Sequence, residues 1–274
     1  MLDEVLNTAE DLVIIGKSGT KGKYVFAFPL KGEVAKHYFY KTLADGEERN
    51  VAGFKEYWQF DDKTGLITGS STFLALRLDE AVRADGFWIP DIEEALFLDK
   101  ERRLTNGVYR DYGLAVFNDR EPNQEVANEI ISKSGNRELP LIIPFKDVAH
   151  RLDGNFPYGV AISLVDNPSG LKSGEQAQKI LSRFNYVGDS GACRVYRYRY
   201  SGWFAGLDGL GGSGSGGRGD FLCGEATRAD LLSAHDGLLK RRYDAKLFEL
   251  AKEEKRLLAQ QDKEQMSFLE QIGM

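Results

Sequence analysis

Residues 195–226, VYRYRYSGWFAGLDGLGGSGSGGRGDFLCGEA, constrain this chain more than any other stretch. They begin with the alternation of a strand, pass into glycine and serine, and end in a second strand-like segment. Successive strand side chains point to opposite faces, so Arg194, Tyr196, Tyr198 and Tyr200 share one face while Cys193, Val195, Arg197 and Arg199 share the other. Tyrosines at the mouth of a long loop read as a contact surface. The loop keeps a sparse skeleton of Trp203, Leu207 and Leu210. A loop of this length within a domain is either functional or disordered, and the spaced anchors favour function. Its vocabulary of Tyr, Ser and Gly is that of antibody contact loops, where Tyr supplies area at low entropic cost and Ser and Gly supply adaptability.

The rest of the chain frames this stretch. A length of 274 residues, 42% hydrophobic and 28% charged, supports a sizeable core in one large domain or two small ones. The net charge of −6, without a cluster of Lys and Arg, argues against nucleic acid as the main partner. The apolar patch at residues 12–15 is too short for a signal-peptide core or a membrane span. A soluble protein, cytoplasmic or virion-associated, is expected. The cysteines Cys193 and Cys223 are too few for a disulfide framework or an all-cysteine zinc site. They stand at the two roots of the loop, where two adjacent strands would hold them as buried thiols or as a disulfide.

Mixed helix and strand is expected throughout, with no internal repeat. Residues 3–12 suggest a short helix and residues 23–30 a strand after the turn GKSGTKG, whose glycine spacing is not that of a phosphate-binding loop. GFWIPDIEEALFLD places Trp88, Ile89, Ile92, Leu96 and Phe97 as a buried segment, and GVYRDYGLAVFND reads as a strand. Asn123 suits a helix N-cap with Glu125 in the first turn and Gly135 at the end. The tripeptide Glu121-Pro122-Asn123 also matches one that mannose-type C-type lectins use for calcium, but their downstream Trp-Asn-Asp element is missing. ELPLIIPFKDVAHRL reads as a buried run leading into a short helix, and YGVAISLVDNPSG as a strand. In SGEQAQKILSRF, Ser173 and Gln176 have capping-box spacing, with Ala177, Ile180, Leu181 and Phe184 on one face. His37, His150 and His235 lack metal or triad spacing and read as surface or capping residues.

From Val195 to Phe221 there is no Lys, Glu, Gln or Met, although Lys and Glu abound on either side. These four, with Trp, are the residues that no codon ending in C or T encodes. Trp203 is the sole exception, so the stretch reads as if the first two bases of AAC or AAT codons had been randomised.

With that pattern in view, residues 86–226 resemble the variable proteins of diversity-generating retroelements, in particular those of small archaea, their viruses and some uncultured bacteria. The resemblance is carried by RRLTNGVYRDYGLAVFNDREPNQEVAN, LPLIIPF, GVAISLVDNPSG and above all SGACRVYR through Trp203 and the returning GRGDFLCGEA. It implies an α+β chain: an N-terminal α/β portion (1–85), a C-type-lectin-like variable domain (86–226) and a helical tail (227–274). It further implies a noncatalytic ligand-binding protein whose variable, ligand-facing positions are Tyr198, Tyr200, Ser201, Gly202, Phe204, Gly206, Asp208, Gly209, Gly211, Gly212, Gly214 and Gly216. Trp203, Leu207, Leu210, Ser213, Gly217 and Arg218 would be scaffold. Gly219 departs from the family, where a β-branched residue is usual. No catalytic residue, metal or cofactor is implied, and the ligand would be macromolecular, a protein or a glycan.

Other readings stay in view. Arg218-Gly219-Asp220 matches the integrin-binding tripeptide, although the family pattern makes Arg218 and Asp220 structural. Formylglycine-generating oxidases share the lectin-like fold and use a cysteine pair, which raises an enzyme on the same scaffold; a structural or virion component with a glycine spacer is a third reading. After Ala226 the chain turns to helix formers, with Leu239, Tyr243, Leu247, Leu250, Leu257 and Phe268 at roughly three-four spacing, interrupted at Glu254 and Gln261. That tail is expected to pack on the domain as a solvated helix, or to mediate self-association.

Overall fold

The structure, a computed structural model, describes residues 2, 5–6, 11–48, 58–104, 110–117, 124–152, 160–189, 191–198, 202–206, 213–218 and 221–271. Among them it is a mixture of helix and sheet: six α-helices and fifteen strands in four sheets.

The apolar patch near the N-terminus becomes strand β1 (Val13–Lys17), which turns back through the GKSGTKG hairpin into β2 (Lys23–Pro29). β2 then pairs along its whole length with the last strand, β15 (Phe221–Thr227), and β15 pairs with the short β5 (Phe87–Trp88), giving the order β1-β2-β15-β5. Alternation gives β15 two apolar faces. Phe221 and Cys223 enter one core cluster and Leu222 and Ala226 another. Gly224 keeps no side chain between them because a Cβ there would lie 2.9 Å from the rings of both Phe26 and Phe87.

The second cluster lies between this sheet and helices α1 (Gly32–Glu48) and α2 (Thr72–Arg83). The first lies on the sheet's other face, under α3 (Ile92–Lys100) and against a second sheet. That second sheet is built from β6 (Arg110–Val116), β7 (Leu141–Ile143), β10 (Lys172–Ser173), β11 (Tyr186–Val187), β12 (Ala192–Tyr198) and β13 (Gly202–Ala205), in the order β10-β7-β6-β12-β13-β11. β6, buried at every position, carries both of its faces into cores, as a central strand must. The far face meets α4 (Gln124–Lys133) and the hairpin of β8 (Val148–Leu152) and β9 (Val160–Leu164) in a third cluster. α5 (Gly174–Leu181) packs Ala177, Ile180 and Leu181 into the first. β3 (Gln59–Asp61), β4 (Leu66–Ser71) and β14 (Ser213–Arg218) form a third sheet. Residues 1–85 therefore share sheets with residues 213–227, so the hydrogen-bonded structure runs across position 85.

Several local expectations are corrected. The segment VAHRL after the LIIPF run is strand β8, entered through a single 3-10 turn (Phe145–Asp147). Ser173 is the N-cap of α5 but makes no capping hydrogen bond; the capping box forms instead at α3, where Asp91 accepts from the backbone N–H of Glu94 and Glu94 accepts from that of Asp91. Gly135 ends α4 with a φ of 75°, as expected, while Glu121, Pro122 and Asn123, the calcium and N-cap candidates, lie outside the described residues. His37 and His235 are exposed. The tail helix α6 (Arg228–Gln271) does not lie on the domain. Leu231, Ala234 and Leu238 pack at its root, and residues 239–268 are exposed at every position.

The cysteines are buried thiols, one of the two states expected, but they do not stand on adjacent strands. Cys193 is on β12 and Cys223 on β15, in two different sheets, each a buried free thiol facing the first cluster.

Candidate functional site

The β12–β13 hairpin has two unlike faces. Its register is Val195 opposite Ala205, Tyr196 opposite Phe204, Arg197 opposite Trp203 and Tyr198 opposite Gly202. Residues opposite one another share a face.

On the inner face, Cys193, Val195, Trp203 and Ala205 enter the first core cluster. Trp203 is held on all sides. Its ring lies 5.3 Å from that of Tyr112 and 5.9 Å from that of Phe184, and its indole N–H donates to Asp99 Oδ2 at 2.9 Å. Its backbone N–H donates to Asn185 Oδ1 at 3.0 Å and its carbonyl accepts from Asn185 N–H at 2.8 Å. The other Asp99 oxygen takes Arg197 Nη2 at 2.8 Å, so one carboxylate at the end of α3 fixes both strands of the hairpin. Arg197 is almost fully buried, and the paired carboxylate is what makes a guanidinium tolerable there.

On the outer face burial falls from one end to the other. Arg194 and Tyr196 are buried, with the guanidinium 4.7 Å above the tyrosine ring. Tyr196 stacks on Phe204 at 5.7 Å, and Tyr198, 41% exposed, meets the same phenylalanine edge-on at 6.0 Å. The expected tyrosine contact face is thus only partly a surface: Tyr196 and Arg194 belong to the interior, and exposure begins at Phe204 and Tyr198. β11 extends the row sideways. It runs parallel to β13 with Tyr186 beside Phe204, and Tyr186 is 43% exposed. Tyr186, Phe204 and Tyr198 thus form an aromatic rim across three adjacent strands. Sequence reasoning missed Tyr186 because a two-residue strand has no alternation to read.

The glycines differ among themselves. Gly206 closes β13 with a φ of 91°, and a Cβ there would lie 3.0 Å from Cys193 Sγ, so its backbone and its packing both call for glycine, against the expectation that this position varies. At Gly202 a Cβ would meet the Phe204 ring at 2.5 Å, a contact that ring rotation can relieve. The glycine-serine run is not all loop. Residues 213–218 form β14, with Gly214 opposite Ser70 of β4 and Gly216 within the irregular stretch between Gly214 and Arg218. Tyr200, Ser201, Asp208, Gly209, Gly211 and Gly212, with the anchors Leu207 and Leu210, lie outside the described residues.

The chemistry of the cysteines is that of core residues. Burial pushes the Cys193 thiol up to about 12, and burial with the neighbouring Glu94 carboxyl pushes Cys223 well above the ordinary thiol range. Glu94 itself is pushed up to about 7 by its burial, ahead of the nearby Asp91, although its carboxylate accepts from the Trp88 indole N–H at 3.0 Å and the Asp91 backbone N–H at 2.8 Å. Asp79 is likewise raised by burial; the Arg83 guanidinium and the Ile89 N–H work against that rise. Among the described residues no group of three His, Cys, Asp or Glu side chains is arranged to hold a metal ion, and no helix is long and apolar enough to cross a membrane.

No protein-family model, curated protein or solved structure matches the chain.

Proposed function

We propose that this chain is a noncatalytic binding protein of C-type-lectin-like type, displaying a ligand-contact surface on the outer face of its β12–β13 hairpin and the segment that follows, with sequence diversity introduced by a retroelement. The observation that carries the reading is the division of the hairpin: Trp203 is locked between Asp99, Tyr112, Phe184 and Asn185, while its neighbours Phe204 and Tyr198 present ring area outward. A fixed inner face with an exposed aromatic rim is the arrangement in which contact residues change without loss of the scaffold. The residue vocabulary of the segment, free of Lys, Glu, Gln and Met from Val195 to Phe221, supports diversification at the first two codon bases. The ligand would be macromolecular, a protein or a glycan, because a row of aromatic rings offers contact area where a small-molecule site encloses its ligand.

The oxidase-like alternative needs a reactive thiolate. Cys193 and Cys223 have the opposite environment, buried in apolar surroundings with their thiols pushed up, and they stand in separate sheets.

The coding DNA tests the proposal. Glycines 202, 209, 211, 212, 214 and 216 should all be written GGC or GGT, with an adenine-rich near-copy of the segment and a reverse transcriptase gene nearby. Several GGA or GGG codons with no such near-copy would overturn diversification.

A further inference from the structure

The exposed part of α6 is striped. At about 100° per residue, Leu232, Leu239, Tyr243, Leu250, Leu257 and Phe268 fall within an arc of about 40°. Each of them is between 50% and 64% exposed. The residues that dock the helix root, Ala234 and Leu238, lie on a different side, so the stripe runs unobstructed from Leu232 at the root to Phe268, a length of about 54 Å. A row of large apolar side chains this long on one helix face is the signature of an interface.

Two features indicate what covers it. All of the stripe but Leu239, which mirrors onto Gln261, is symmetrical about Leu250: Tyr243 and Leu257 are equidistant from it in sequence, and so are Leu232 and Phe268. A helix laid antiparallel on its own copy with Leu250 at the two-fold axis therefore brings Tyr243 onto Leu257 and Leu232 onto Phe268. Charge is distributed in the same sense. Along one flank of the stripe Arg242 and Lys246 precede Leu250, whereas Glu253 and Glu264 follow it. A parallel pair would set Arg242 and Lys246 of the two copies at the same level; the antiparallel pair sets that basic flank beside the acidic one. In that register Lys246 of one copy stands near Glu253 of the other, both on the same flank of the stripe.

We infer that the chain forms an antiparallel homodimer through α6, centred on Leu250, with one folded body at each end. This does not depend on the display reading. If both hold, the dimer presents its two contact surfaces apart, giving bivalent engagement of a repetitive target.

Sedimentation of the full chain should report a dimer at micromolar concentration. Leu250→Lys should raise its dissociation constant at least a hundredfold, and Phe248→Lys, on the opposite side of the helix, should change it less than threefold. Circular dichroism of both variants shows whether the chain stays folded. Mixing Lys246→Cys with Glu253→Cys chains under mild oxidation should give a disulfide-linked heterodimer and little of either homodimer. A monomeric wild-type chain, equal effects of the two lysine substitutions, or efficient cross-linked homodimers would each overturn the inference. Failure here would leave the codon prediction standing, since that test reads only glycine codons from 202 to 216 and the neighbouring DNA.

Discussion

The two faces of one hairpin teach more about this molecule than either does alone. Arg197 and Trp203 sit opposite each other on the inner face; Tyr198 and Gly202 are their immediate neighbours on the outer. A shift of one residue along β12 separates Arg197, buried against the Asp99 carboxylate, from Tyr198, which is 41% exposed. The backbone is common to both, so what distinguishes them is only what lies beneath. A strand of period two lets one face carry the stability while the other is released from it.

The sharpest way to break the comparison is at Trp203. Trp203→Ala empties a site bounded by Tyr112 and Phe184 and leaves Asp99 without one of its donors; it should cost about 3–5 kcal/mol in urea denaturation. A loss below about 1 kcal/mol would mean that the inner face is no anchor.

A second test concerns the core under the same sheet. Glu94 holds its proton in the folded chain up to about pH 7, whereas an unfolded glutamate releases it near its ordinary value of 4.5. The folded form is therefore favoured at low pH, and stability falls as the pH rises from about 4.5 through 7, by up to about 3 kcal/mol. Glu94→Gln should flatten that slope between pH 5 and pH 8 in thermal melts. An unchanged slope would place its cause elsewhere.

The smallest effects belong to the rim. Tyr198→Ala and Tyr186→Ala remove exposed rings and should each shift stability by no more than about 1 kcal/mol. Losses at these two positions equal to that at Trp203 would erase the distinction between the faces.

How far the sequence foretold this depends on how local each signal was. The alternation in RVYRYRY is local, and it separates the faces of β12 correctly; Trp203 stands out in its stretch as the one residue outside the codon pattern, and it is the packed anchor. The long tail helix is legible from its helix formers, but its detachment from the body is not, since an apolar stripe looks the same whichever surface covers it. Tyr196 and Tyr198 have the same identity and face, and only tertiary packing buries one of them. Strand β14 was hidden because glycine and serine carry no strand signal, and its pairing with β4 spans more than a hundred residues. The two cysteines flank one loop in sequence, yet β12 and β15 join different sheets, a matter of topology that spacing cannot carry. VAHRL reads equally as a helix turn or a strand until β9 supplies its partner.

The most direct test of the division is saturation substitution at positions 198, 203 and 206, with protease resistance of the displayed chain as the selection for folding. Position 198 should accept most residues, 203 should return Trp almost alone, and 206 should return Gly, because its φ of 91° and the nearby Cys193 side chain leave no room for a Cβ. If position 198 proves as restricted as 203, or if 203 tolerates small and polar residues, the hairpin has no separate display face and the account fails.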